Sequence, residues 1–161
     1  MTLVHSIDYK KLGISCAISL GIGALSGIVS AFGMSNFDNA AKPPLTPPSW
    51  LFPIVWTILF LLMGISSYII FTSHDCDPDL KNTALTIYAA QLVINFFWPV
   101  IFFNLSAYLL AFIWIVLLLV MIIVMYRLFY RINKLSAYLQ IPYLIWVSFA
   151  TYLTFGVFIV N

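Results

Sequence analysis

The chain contains no glutamate, and its only acids are Asp8, Asp38, Asp75, Asp77 and Asp79. Charged residues make up 7% of the 161 positions, against the roughly 25% typical of a soluble domain. So little charge cannot coat a water-soluble body, and the mean hydropathy of +1.07 agrees. Basic residues are also sparse. A net charge of +2 with no dense Lys/Arg run excludes nucleic acid as a partner. Two cysteines, Cys16 in an apolar run and Cys76 in a polar loop, make a disulfide unexpected. Both histidines, His5 and His74, lie outside the apolar runs, so no metal site and no buried axial ligand for haem iron is expected. No catalytic triad, acid–base pair or nucleotide loop is present. Met1 to Lys11 is mixed polar and does not read as a cleaved leader.

What remains is hydrophobic, at 63% of the residues, and it is arranged in runs. Five stretches, about 12–33, 50–71, 83–103, 106–127 and 135–160, approach the ~20 helical residues that cross a bilayer. They lack the two-residue alternation of a membrane barrel, so helices, which satisfy their own backbone, are expected. The fold class is an all-α, multi-pass bundle of five membrane helices forming one domain, with the lipid bilayer as its surroundings. Ser106 is the expected N-cap of the fourth span. Pro99 and Pro142 should bend the third and fifth.

No Asp, Glu, Lys or Arg interrupts any span up to its flanking arginine, which excludes ion-coupled relays of the usual kind. Lys10, Lys11, Lys81, Arg127, Arg131 and Lys134 fall on one side and Lys42 alone on the other. That bias puts the N-terminus in the cytoplasm and the C-terminus outside. It suits a bacterial plasma membrane better than a mitochondrial outer membrane, as does the absence of a basic tail after the fifth span.

The one long connection, 34–49, holds Lys42-Pro43-Pro44-Leu45-Thr46-Pro47-Pro48-Ser49-Trp50. Pro43, Pro44, Pro47 and Pro48 fix φ and remove donors, giving a stiff loop suited to act as a lid. Gln91, Asn95 and Trp98 share one face of the third span. Two amides in hydrocarbon face the bundle interior, either as interhelical glue or as polar anchors of a pocket. Trp146, Ala150 and Leu153 share a face of the fifth span, with Tyr143, Ser148, Thr151 and Tyr152 as further polar tips. Ser19, Gly23, Gly27 and Ala31 recur every fourth residue in the first, a pattern for close helix packing, within the bundle or across a dimer.

Three ordered blocks resemble a known family. They are Lys42-Pro43, Pro47-Pro48, Trp50, Val55-Trp56-Thr57 and Met63-Gly64; then Gln91-Leu92, Asn95, Trp98 and Phe102-Phe103; then Pro142-Tyr143-Leu144, Trp146-Val147, Phe149-Ala150 and Asn161. Together they are similar to the translocator protein family, whose bacterial members are tryptophan-rich sensory proteins and whose mitochondrial members were called peripheral benzodiazepine receptors. The segment 35–40 departs from the pattern in lacking a Trp-Tyr pair. The resemblance implies a homodimer and five helices around a ligand pocket closed by the first long loop. It implies binding residues Trp50, Trp56, Phe60, Gln91, Asn95, Trp98, Trp146, Ala150 and Leu153. The ligands it implies are porphyrins such as protoporphyrin IX, sterols, other apolar small molecules and isoquinoline or benzodiazepine drugs. No cofactor is required. Bacterial members promote light-dependent porphyrin breakdown; with no other redox group in the chain, Trp50 and Trp146 are the expected photochemical residues. Binding or transport without chemistry is the alternative.

Overall fold

The computed structural model describes residues 7–161. His5 and the first half of the Met1 to Lys11 segment lie outside them. Five long helices form the bundle: α1 (Tyr9–Ala31), α3 (Leu51–Thr72), α4 (Pro78–Pro99), α5 (Tyr108–Ile132) and α7 (Ile141–Val160). Short helices α2 (Met34–Asn39) and α6 (Lys134–Tyr138) stand in two connections. There is no strand among the described residues, and the five-span expectation holds.

Several boundaries differ from the hydropathy reading. α4 begins at Pro78 rather than near 83, because Asp77 caps it through the Asp79 N–H at 3.0 Å and proline suits a first helical position. α5 runs through Arg127 and Arg131 to Ile132. Ser106 is not the N-cap of α5. Its φ of +50° belongs to the reversal before that helix, and Ala107 occupies the cap without a side-chain bond. Pro99 ends α4, and a π-helical turn over Val100–Asn104 follows it. Proline has no N–H to continue the ladder, so a wider turn takes its place. The fifth span is divided at Leu139–Gln140 into α6 and α7. At the start of α1, Asp8 accepts from the Lys10 and Lys11 N–H groups, which hold its carboxyl below the ordinary value.

The helices close into a ring in the order α1, α3, α7, α5, α4. α1 packs along α3, α4 along α5, and α5 along α7. Aromatic pairs close α3 on α7: Phe52 with Trp146 at 5.9 Å and Trp56 with Tyr143 at 6.2 Å between ring centres. Apolar burial gives little drive between helices in lipid, so close approach and hydrogen bonds must hold them. Ser19 donates to the Phe60 carbonyl at 2.8 Å, Ser26 to that of Phe96 at 3.0 Å, and Trp114 to that of Ile94 at 2.8 Å. Ser66 and Ser136 pair at 2.8 Å, fully buried. Gly64 meets the backbone of Cys16, which brings α1 and α3 together.

The long connection is not wholly irregular, since α2 occupies its first third. Phe37 on α2 is buried against Phe52, Phe102 and Phe103. Lys42 lies over its ring at 4.9 Å. The proline stretch that follows is strapped to the far end of α7. Asn161 accepts from the Ala41 N–H at 3.0 Å and donates to the Ala41 carbonyl at 2.9 Å. Tyr152 donates to the Pro44 carbonyl at 3.1 Å, and Pro43 is buried against Gly156. Asn161→Leu removes both bonds of this two-way clasp. At about 0.5–1.5 kcal/mol each, their loss should leave the bundle folded but make the Ala41 amide proton exchange at least tenfold faster.

Candidate functional site

A cavity of about 430 Å³ lies between α1, α3 and α4, within the size range of small-molecule sites. Its walls follow from the local sequence. α1 contributes small side chains, Gly23, Ala24, Gly27, Ser30 and Ala31, so the helix surface recedes. α3 contributes Phe52, Pro53, Trp56, Thr57 and Phe60. α4 contributes Asn95, Trp98 and Pro99, and the π-turn adds Phe103. The floor is the close contact of Gly23 with the Phe60 ring, and Met34 of α2 borders the opposite end. No charged residue lines it.

Trp56, Phe60, Asn95 and Trp98 of the expected ligand residues therefore come together. Trp98 stacks on Phe102 at 5.2 Å, and its buried indole N–H has no partner among the described residues. Such an orphaned donor beside a cavity suits a ligand acceptor or a water.

Asn95 has two attachments. Its amide N–H donates to the Tyr143 hydroxyl at 2.7 Å, and that hydroxyl donates to Gln91 Oε1 at 2.8 Å. Gln91 Nε2 in turn reaches the Met63 sulfur at 3.8 Å. The chain joins α4, α7 and α3. Gln91 and Tyr143 are fully buried and Gln91 does not line the cavity, so it acts as glue. Asn95 is glue through its nitrogen and a cavity wall as well.

Other expected residues stand elsewhere. Trp50 is 65% exposed at the head of α3. Trp146, Ala150 and Leu153 share a face, but it meets the α7 side of the core and not the cavity lining. Trp146 packs between Phe52 and Phe149. Pro43, Pro44, Pro47 and Pro48 belong to the strap on α7 and do not line the cavity; α2 and its Phe37 plug cover that end of the bundle instead. Sequence reasoning missed Phe37, Phe52 and Phe103 as the plug. It placed Gly27 and Ala31 in a packing stripe, whereas Gly27 has nothing within 4 Å of an added Cβ and borders open space.

Comparison with known proteins agrees with this arrangement. The TspO/MBR family model matches residues 15–160. The chain is 37% identical over 125 residues to the tryptophan-rich protein TspO of Chlorobaculum tepidum, covering 78% of each protein. It is 34% identical over 157 residues to the protein of the same name from Archaeoglobus fulgidus, covering 96% of this chain and 99% of that one. It is 30% identical over 146 residues to the human translocator protein, covering 91% and 86% respectively. With five apolar helices, a proline strap and an aromatic cavity carrying the matched motifs, this chain belongs to the TspO/MBR family.

Proposed function

We propose that the protein binds protoporphyrin IX in the α1–α3–α4 cavity and promotes its light-dependent breakdown. The observation that carries this reading is the lining itself. Trp56, Phe60, Trp98 and Phe103 offer ring faces and edges, while Asn95 and the free Trp98 N–H offer a few fixed polar contacts. A flat, mostly apolar macrocycle matches such a surface, where aromatic contacts add about 0.5–1.5 kcal/mol per pair beyond burial. The lining has no histidine or cysteine, which favours a metal-free ring over haem. Isoquinoline- and benzodiazepine-type molecules fit the same description.

The chain places no acid–base pair at the cavity, so the ligand must bring the chemistry. The excited macrocycle would take an electron from a neighbouring indole or pass its energy to oxygen. Trp56 and Trp98 border the space, and Trp146 stands behind Phe52. Illumination of the purified protein with protoporphyrin IX should produce new absorption bands that free porphyrin under the same light does not give. Trp→Phe changes at 50, 56, 98 and 146 then apportion the role. Trp56→Phe and Trp98→Phe should slow breakdown more than Trp50→Phe, given Trp50's exposure. If the bound spectrum survives illumination unchanged, the alternative reading takes over: a carrier or receptor that leaves its ligand intact.

A further inference from the structure

We propose that ligands enter and leave the cavity sideways, from the bilayer, through the gap between α1 and α3. The proposal rests on the cavity being a ligand site. It narrows the ligand class to molecules already dissolved in lipid.

The opening can be located from residues that border the cavity and are exposed as well. These are Ala24, Gly27 and Ala31 on α1 and Pro53 and Thr57 on α3. On the opposite wall, Asn95 and Trp98 of α4 and Phe103 of the π-turn are buried, and Pro99 is half-buried. The gap therefore faces outward between two adjacent helices. The residues flanking it, Leu25 and Ile28 on α1 and Ile54 and Ile58 on α3, are exposed and apolar, which places the opening in the belt that meets acyl chains. Glycine and alanine at the rim leave it wide.

The other routes are shut. At the loop end, Phe37 is wedged among Phe52, Phe102 and Phe103. Asn36 donates to the Phe103 carbonyl at 3.1 Å, and Gly33 packs on that same backbone. The proline strap is held on α7, away from the rim. Below, Gly23 sits on Phe60 and Gly64 on Cys16. The Thr57 hydroxyl at the rim donates to the Pro53 carbonyl at 2.7 Å, so the passage presents no free donor there. An apolar ligand also arrives from a phase in which it is already concentrated.

Two measurements test this. In vesicles loaded with protoporphyrin IX, Gly27→Phe puts a ring into the rim. Its association and dissociation rates should both fall at least tenfold, whereas a mere loss of wall space would speed dissociation. Asn161→Leu, which frees the strap, should leave both rates unchanged. Faster exchange in Asn161→Leu with no slowing in Gly27→Phe would overturn the proposal. The second measurement needs no porphyrin. A fluorophore on Thr57→Cys should be quenched by lipids with brominated acyl chains and not by aqueous iodide. Iodide quenching there would overturn the lateral route. Brominated-lipid quenching together with no protoporphyrin binding would leave the route standing and overturn the tetrapyrrole reading alone.

Discussion

Gly64→Ala should destabilise the bundle by about 1–3 kcal/mol, the cost of forcing atoms into a packed core. An added Cβ would lie 2.6 Å from the Cys16 Cα and 2.6 Å from Ser19 Oγ. Backbone cannot swing aside as a side chain can, so α1 and α3 must separate. That separation also lengthens the Ser19 bond to the Phe60 carbonyl. Alanine gains up to about 1 kcal/mol over glycine in helix propensity, which is too little to offset the clash. Gly21→Ala is the internal control, because nothing lies within 4 Å of its added Cβ. Thermal unfolding in detergent should show a clear loss at 64 and none at 21. Equal midpoints would mean that the α1–α3 contact is looser than described.

Tyr143→Phe should have the other large effect, and on two properties together. The substitution keeps the ring against Trp56 and removes one oxygen. Asn95 then loses its acceptor and Gln91 its donor, both in the buried interior. An unsatisfied buried group costs about 1–3 kcal/mol, while membrane hydrogen bonds measured by double-mutant cycles average about 0.6 kcal/mol and reach about 1.7. A total loss of about 1–3 kcal/mol is expected, read as a lower unfolding midpoint. Asn95 also borders the cavity, and its freed amide can rotate. Protoporphyrin IX should therefore bind about tenfold more weakly, a change of about 1.4 kcal/mol. A lower midpoint with unchanged affinity would reduce the whole chain of bonds to interhelical glue.

Hydropathy located the five helices because lipid demands long, charge-free runs. It misplaced their ends where helices continue past the apolar runs. Asp77 and Pro78 start α4 outside the apolar run, and Arg131 and Ile132 extend α5 beyond it. α2 escaped notice because six residues carry too little pattern to stand out from a loop. At the cavity, Asn95 and Trp98 were legible as polar and bulky groups on one face of an apolar helix. Trp146, Ala150 and Leu153 share a face just as clearly, yet that face packs elsewhere. Periodicity within one helix tells which residues point the same way; it does not tell which neighbour they meet. The rim on α1 had a visible signature in Gly23, Gly27 and Ala31. Small residues allow either close packing or open space, and Gly23 took the first course and Gly27 the second.

The clasp between Ala41 and Asn161 joins positions 120 residues apart. During synthesis the first long connection leaves the ribosome with α1 and α3, but its fastening comes only with the last helix. Until α7 is inserted, the prolines have no surface to rest on, and Phe52 and Trp56 have no Trp146 and Tyr143 to meet. The strap is thus among the last features of the molecule to mature, and a ribosome stalled before α7 would carry the α1, α3 and α4 walls of the cavity without it.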